Sequence, residues 1–462
     1  MNQPLSNSQM RDAEALLHPY TNAVALRETG AQIIERGEGV RVYDASGRPF
    51  IEAMSGLWCA GLGFGNAELV ETARLQMERL PYYHLFTGKS HEPAVELAER
   101  IKALAPGRMS RVFYQSSGSE ANETQVKMAW YYNNARGRPD KKKMISRVKA
   151  YHGVTIVAAS MTGLPYNHRD FDLPVDRIKH TSTPHFWKGA APGETEAEFS
   201  ARLAAELEAL VLAEGPDTVA AFIAEPVMGA GGVLVPPEGY FPAIAEVCRK
   251  YDMLMISDEV ICGFGRTGQW FGAQTFDYPC TSMSMAKQLT GAYLPLSAVA
   301  IDADMAAAIE ANSGKHGTFG HGFTYGGHPV ACAVGAKALE IYERIDAPGR
   351  VRALAPRFRA HLDRLAAHPL VGEARGVGLI GALELAPEGS PRGFAEPGKV
   401  GARMAAEMLE RGVITRAIVD SVAFCPPMTV TEAEIDEMFA PVEAALDATL
   451  DWARAEGRLA AT

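Results

Sequence analysis

The sequence has little that would place it among disulfide-linked, zinc-binding or membrane-spanning proteins. Its 462 residues include six scattered cysteines, and none of them forms a CxxC pair. Such cysteines are typical of reduced thiols rather than of a disulfide or zinc framework. No apolar run reaches the ~18 residues that a membrane-spanning helix needs, and no apolar segment of a signal peptide follows the N-terminus. The sequence therefore predicts a cytoplasmic protein.

An excess of positive charge is also absent, since the formal net charge is −10. Nucleic acids and anionic membranes attract basic surfaces, so we predict neither as a partner. Residues 1–40 are too short and not basic enough for a DNA-binding domain, which argues against a transcription regulator with an enzyme-like ligand domain. Hydrophobic residues at 47% and charged residues at 22% are ordinary for a globular chain that is long enough for two domains.

Short apolar strands alternate with amphipathic helices along the first three quarters of the chain. This pattern predicts an α/β fold with a large, mostly parallel sheet. The predicted strands are 111–115, 144–149, 219–224, 253–257 and 282–285. The predicted helices are 120–134, 195–213 with a capping box at its start, and 240–251.

After about residue 345 the pattern changes to that of a smaller α+β domain. Strands are predicted at 380–385, 413–418 and 422–425, an exposed loop at 387–399, and one final capped helix from residue 431. A hairpin at 41–44 and 50–52 is expected to pack on this part. We therefore assign residues 61–340 to the large domain, and residues 1–60 with 341–462 to the small one.

Ligands of open α/β sheets bind beyond the carboxyl ends of the strands. The turn Ser117-Gly118-Ser119 precedes a predicted helix, whose free N–H groups favour a phosphate, although a plain N-cap is the alternative. Asp258 ends an apolar strand and could pair with a protonated pyridine nitrogen or form a structural ion pair. Lys287 has apolar neighbours, and a desolvated lysine can form an imine, whereas most lysines are solvated.

Several motifs together, in their order and spacing, resemble the class III (omega) aminotransferases among the fold-type-I pyridoxal phosphate enzymes. They are S-G-S-E-A-N at 117–122, Y-H-G at 151–153, E-P-V at 225–227, D-E-V at 258–260, G-F-G-R-T-G at 263–268 and A-K at 286–287. The resemblance runs from residue 56 to residue 427. Many members have Gln after D-E-V; here Ile261 stands there, a variant that is frequent in the amine:pyruvate subgroup.

The resemblance implies pyridoxal 5'-phosphate as the cofactor and a role for each matching residue. Lys287 would bind it as a Schiff base and shuttle the proton, and Asp258 would pair with the pyridine nitrogen. The remaining cofactor contacts would be Ser117, Gly118, Ser119, Tyr151, His152, Glu225 and Val260, and Thr324, following Phe323, from the neighbouring subunit. Such a shared site implies a homodimer.

On the substrate side, the resemblance implies a transaminase that moves an amino group from a primary amine or omega-amino acid to a keto acid, pyruvate, by a ping-pong mechanism. The expected pocket residues are Trp58, Tyr151, Arg416 as the carboxylate ligand, and the aromatic walls Tyr20 and Phe86 beside Trp58. A glutamate/2-oxoglutarate-using aminotransferase of class III and an aminomutase share this core and stay open as alternatives.

A different class of enzyme is suggested by two literal G-x-G-x-x-G strings, at 263–268 and 376–381. An NAD-dependent dehydrogenase needs a strand before the string and a helix opening on it, with an acid ~20 residues further on. The first string leads into a segment that starts a helix poorly, and the second leads into a strand. Neither string therefore has the context of a dinucleotide-binding site. His316, His321 and His328 lack a suitable carboxylate or thiolate companion, and no metal site is predicted.

Overall fold

The structure, a computed structural model, describes residues 4–387 and 390–461 and has three β-sheets. The large sheet has seven strands, in the order β4 Met109–Gln115, β10 Ser297–Asp302, β9 Ser282–Met285, β8 Leu254–Asp258, β7 Val219–Ala224, β5 Lys143–Arg147 and β6 Ile178–Thr181. Only β10 runs antiparallel to its neighbours. The prediction of a mostly parallel sheet is confirmed.

Two four-stranded sheets lie beside the large one. The first joins both ends of the chain, in the order β1 Ile34–Glu38, β2 Arg41–Asp44, β3 Pro49–Glu52 and β13 Val413–Ile414. The second has the order β11 Val371–Val377, β12 Ile380–Leu385, β15 Ser421–Phe424 and β14 Arg416–Ile418. Because β3 pairs in parallel with β13, the predicted hairpin does pack on the C-terminal part.

Helices cover the sheets. They are α1 Asn7–Ala15, α2 Ala23–Thr29, α3 Ser55–Trp58, α4 Ala67–Arg79, α5 Glu92–Leu104, α6 Gly118–Ala135, α7 Ile156–Met161, α8 Phe186–Gly189, α9 Glu196–Glu214, α10 Tyr240–Lys250, α11 Gly272–Thr275, α12 Ala303–His316, α13 Pro329–Arg344, α14 Ala347–Leu365, α15 Lys399–Glu410, α16 Glu432–Phe439 and α17 Val442–Ala455. Strand β7 is buried along its whole length, which explains its unbroken apolar sequence. No helix in the described ranges is both long and apolar enough to cross a bilayer.

Two expectations for the C-terminal part are wrong. Segment 413–418 is not one strand, because its two halves pair in different sheets and separate at Thr415. The final helix is two helices, α16 and α17, and the break falls at Pro441, which has no N–H to continue the hydrogen bonding of α16.

The predicted exposed loop is exposed over most of its described residues, although the Phe394 side chain within it is fully buried. Residues 388 and 389 of that loop lie outside the described residues.

Candidate active site

The carboxyl ends of the parallel strands open into one cavity of about 120 Å³. All the predicted cofactor contacts except Ser117 and Thr324 line it. Asn122, Gly153, Ile261 and Ala286 complete the lining. The fold thus brings together residues that lie as far apart in the sequence as 118 and 287, because parallel strands deliver their carboxyl ends to one edge.

Asp258 is the buried charge of this cavity, with an exposed fraction of 3%. Its Oδ2 accepts a hydrogen bond of 2.7 Å from Asn122 Nδ2 and lies 2.8 Å from His152 Nδ1. Its Oδ1 accepts one of 3.2 Å from the Val260 backbone N–H. The contacts fix the orientation of the carboxylate, and no arginine or lysine neutralises it within the described residues.

The predicted phosphate turn forms the start of α6, two residues earlier than expected. Ser117 is a plain N-cap, whose Oγ accepts from the Glu120 N–H at 3.2 Å, so the alternative reading holds for this residue. A Cβ on Gly118 would lie 3.2 Å from Val260 Cγ1, and one on Gly153, at φ 131°, would lie 2.5 Å from Ser119 Oγ. The two glycines therefore keep open a cradle at the positive end of an 18-residue helix.

Lys287 follows β9 directly and begins a short 3-10 turn that ends at Thr290. Its φ of 52° is left-handed, which is uncommon for a residue with a side chain and frequent at active sites. Gln288 anchors the turn by donating to the Ile261 carbonyl at 2.9 Å. Within the described parts of the chain, the half-buried Lys287 amine has no hydrogen bond or ion pair, so it is available to a ligand of the cavity.

Glu225, at the end of β7, supports the cavity wall rather than carrying a free charge. Its two carboxyl oxygens accept from the N–H groups of Tyr151 and Gly229, each at 3.0 Å. Burial raises the pKa of this carboxyl above its ordinary value. Glu225 thus holds Tyr151 in place.

Arg416 lies on β14 and is half-buried. Burial raises the pKa of the Tyr151 and Tyr166 phenols, and the Arg416 guanidinium opposes this shift in both. Arg416 therefore lies near the two phenols. Its guanidinium has no hydrogen bond or ion pair in residues 4–387 and 390–461. Tyr20 joins the same group, because its hydroxyl bonds to Tyr151 and accepts from Asn167 at 2.7 Å.

Trp58 lies in a buried cluster with an exposed fraction of 1%, together with Met54, Ile261 and Cys425. It ends the kinked helix α3, in which Ser55 and Trp58 both have a positive φ. Ile261, a member of the same cluster, also lines the cavity.

Phe86 lies elsewhere in the same chain, on an open groove of about 940 Å³ that is also lined by Phe323, the residue before Thr324. Phe86 is 44% exposed and packs against Gly322. Within one chain it therefore does not stand beside Trp58, where we expected it. Thr324 is exposed, and its carbonyl accepts from the Tyr82 hydroxyl at 2.9 Å. Both residues face outwards, where a neighbouring chain could reach them.

Two polar residues of the site belonged to recognised motifs but had no predicted role. Asn122 links Asp258 to the His152 carbonyl, to which it donates at 2.8 Å. Glu259 is fully buried and accepts from Ser257 Oγ at 3.0 Å and from the N–H groups of Gly272 and Ala273 at 2.8 Å. Only the tertiary fold shows these bonds, although a polar residue facing inward from a helix could have indicated Asn122.

The chemistry of this donor set fits pyridoxal phosphate. A fixed buried carboxylate suits a protonated pyridine nitrogen, a free amine suits an aldehyde, and a glycine cradle at a helix N-terminus suits a phosphate.

Replacement of Asn122 by alanine tests the support of Asp258. The loss of this donor leaves a buried carboxylate under-bonded, so we expect Asn122→Ala to weaken pyridoxal phosphate binding by about tenfold. The measurement is an absorbance titration of the apoenzyme. Asn133→Ala is the control, because Asn133 is buried in the same helix but bonds only to the Ala129 carbonyl. Equal affinities in the two variants would contradict this role.

Glu259 predicts a pH dependence of stability. Burial raises the pKa of its carboxyl from 4.5 to about 7, so the folded state favours the protonated form. The Glu259 carboxyl therefore stabilises the folded state fully below its ordinary pKa of 4.5, and this stabilisation is lost as the pH rises through about 7. We expect Glu259→Gln to flatten the fall of the thermal midpoint across this window, and the exposed Glu246→Gln to leave it unchanged. Parallel curves for Glu259→Gln and the parent would refute the assignment.

Comparison with known proteins agrees with this chemistry. A family profile described as "Aminotransferase class-III" matches residues 24–446. The chain is 46% identical over 436 residues to gamma-aminobutyrate transaminase 1, mitochondrial, of Oryza sativa subsp. japonica, which covers 94% of this chain and 84% of the relative. It is 47% identical over 425 residues to gamma aminobutyrate transaminase 1, mitochondrial, of Solanum lycopersicum, with coverages of 92% and 82%.

A solved structure gives the same result. The omega transaminase from Pseudomonas jessenii in complex with PMP superposes with a TM-score of 0.95 at 51% identity, over 97% of this chain and 99% of that one. The fold is therefore that of the fold-type-I transaminases, with the strand-end cavity described above, and the protein belongs to the class III aminotransferases, which use pyridoxal phosphate.

Proposed function

We propose that this aminotransferase is an omega-transaminase, which takes the amino group of a primary amine or omega-amino acid and passes it to a keto acid, pyruvate, by a ping-pong mechanism. The observation that carries the proposal is that the Lys287 amine, the buried Asp258 carboxylate and the glycine cradle line the same cavity. When bound, pyridoxal phosphate supplies an aldehyde carbon that accepts nitrogen and a ring that withdraws electrons.

The chain's own residues would hold the cofactor from four sides. Gly118 and Ser119 would bind the phosphate at the N-terminus of α6, and Asp258 would hold the proton on the pyridine nitrogen. Tyr151 and Val260, which also line the cavity, would contact the ring. His152 and Glu225 act one step away, because they position Asp258 and Tyr151 through hydrogen bonds of 2.8 and 3.0 Å.

Lys287 would perform the proton transfer. Its Nζ would hold the cofactor covalently at rest and, once released, would accept the proton from the substrate carbon that bears nitrogen. The donor would leave as a ketone or aldehyde, with water supplying the carbonyl oxygen and the nitrogen staying on the enzyme, and the keto acid would then enter the same pocket. Arg416 binds its carboxylate, for which a guanidinium without an internal partner is suited. Trp58 and Tyr20 limit the space for the remaining part of either substrate.

A homodimer with shared sites is part of this proposal. Phe323, next to Thr324, lines an open groove whose walls include the exposed aromatic residue Phe86. An exposed apolar groove of this size favours a protein partner. A second copy would bring Thr324 to the phosphate end of the neighbouring cavity and Phe86 towards its substrate side.

We also keep two further parts of the proposal. Residues 61–340 form the large domain, and residues 1–60 with 341–462 form the small one, as the division of the three sheets supports. A reducing compartment, the cytoplasm, fits six cysteines that are all unpaired.

The half-reaction tests the function directly. Purified enzyme incubated with an amine and no acceptor is expected to lose the absorbance of bound pyridoxal phosphate and gain that of the pyridoxamine form. Pyruvate should then restore the first spectrum faster than 2-oxoglutarate does. Lys287→Ala serves as the blank, and we expect its transfer rate to fall by at least about a thousandfold.

Arg416→Ala tests whether Arg416 binds the keto-acid acceptor but not the amine donor. We expect it to weaken keto-acid binding by about a hundredfold and to leave uncharged amines within a few fold, because only the keto acid has a carboxylate. A spectrum that does not respond to any amine would exclude the transaminase. Faster recovery with 2-oxoglutarate would favour the glutamate-using alternative.

Thr324 tests the shared site. We expect Thr324→Ala to lower the affinity of the apoenzyme for pyridoxal phosphate by about tenfold, because a hydrogen bond to a charged phosphate is lost. Thr318→Ala, in the same groove, is the control. Light scattering should give twice the monomer mass for both variants. Unchanged affinity in Thr324→Ala, or a monomer that binds cofactor fully, would speak against shared sites.

A further inference from the structure

The two G-x-G-x-x-G strings, which the proposed function does not use, lie against each other. The string at 263–268 belongs to the segment after β8, and the string at 376–381 forms the hairpin between β11 and β12. Across this contact the Leu379 N–H donates to the Arg266 carbonyl, and Arg266 Nη1 donates to the Leu379 carbonyl, both at 3.1 Å. A Cβ on Gly378, at φ 57°, would collide with the Arg266 carbonyl oxygen. Gly378 therefore permits a close backbone contact between the two strings.

The Arg266 side chain passes through this contact into the interior, where it is fully buried. Nη1 also donates to the Pro426 carbonyl at 2.6 Å, and Nη2 lies 3.5 Å from Ser55 Oγ. Ser55 Oγ in turn donates to the Cys425 carbonyl at 2.7 Å. No carboxylate pairs with the guanidinium anywhere in the described chain. One cation thus joins three backbone segments, all outside the large sheet.

Each of these segments leads to the substrate side of the cavity. Ser55 begins the kinked helix that ends at Trp58, and its left-handed φ of 49° needs outside support. Cys425 follows β15, whose Ala423 pairs with Arg416. The first string follows Ile261, which packs in the same buried cluster as Trp58. Arg266, in the segment that follows the Asp258 strand, therefore connects this strand by hydrogen bonds to the segments that position Trp58.

We propose that Arg266 is a positioning residue for substrate specificity: it sets the distance of Trp58 from the cofactor cavity. The inference rests on the proposed transaminase function and on Trp58 as a pocket wall. A planar guanidinium can donate to Leu379, Pro426 and Ser55 at once, whereas an ammonium on a flexible stem cannot hold three groups in one plane. With lysine at position 266, the Ser55–Trp58 turn loses its fixed place, and amines that reach the wall should react more slowly than small ones.

The test compares two uncharged donors, 1-phenylethylamine and isopropylamine, in the half-reaction without acceptor. The quantity measured is the ratio of their second-order rate constants, which does not depend on the fraction of active enzyme. We expect Arg266→Lys to lower the ratio of the large to the small amine by about tenfold, since small misplacements near a reacting centre cost this much or more. Ser55→Ala should shift the ratio in the same direction. It replaces Arg266→Lys as the test variant if Arg266→Lys does not fold.

Arg352→Lys is the matched control, because Arg352 donates to the Gly268 carbonyl at the other end of the same string and does not reach Ser55 or Pro426. We expect its ratio within about twofold of the parent, as for sites without shared partners. Trp58→Leu must itself shift the ratio. If it does and both Arg266→Lys and Ser55→Ala leave the ratio unchanged, the inference is overturned. If the parent reacts with neither amine, the proposed function fails first, and the inference with it.

Discussion

A buried carboxylate at the end of β8 is the constraint on which the site depends. Asp258 is nearly inaccessible to solvent, and a charge in that position is costly unless hydrogen bonds hold it. Asn122 from α6 and His152 from the segment after β5 provide them. Because both must reach the same carboxylate, the N-terminus of α6 and the Tyr151 segment have fixed places, and the phosphate cradle and the ring face follow from them.

Two buried arginines, Arg266 and Arg375, hold the small sheets in place. Arg266 joins the segment after β8 to Leu379, Pro426 and Ser55. Arg375, from β11, donates to the Gly232 carbonyl at 2.5 Å and pairs with Glu384 at 2.7 Å. Both guanidinium groups bridge the small sheets to backbone around the large one.

Local sequence patterns predicted most of the helices and strands. They failed where residues far apart in the chain decide how a segment pairs or whether it is buried. Apolar strands such as β7 and capped helices such as α9 depend on neighbours in sequence, and both were found where expected. Segment 413–418 has the alternation of one strand, yet its halves pair with β3 and β15, which lie far apart in the chain. Phe394 lies in a segment whose glycines and prolines are typical of an exposed loop. Its side chain is nevertheless buried, and its backbone forms a β-bridge with Ala461.

The sequence by itself determined the chemistry, because reactive groups such as Lys287 and Asp258 and the glycines of the cradle must be particular residue types at strand ends. It also determined the fold class through the spacing of apolar residues. The tertiary structure alone decided which groups hold the reactive ones and where the walls stand. It placed Asn122 on Asp258, separated Phe86 from Trp58, and joined the two glycine strings at Arg266. Hydrogen bonds and contacts between residues more than a hundred positions apart leave no periodic trace in a sequence.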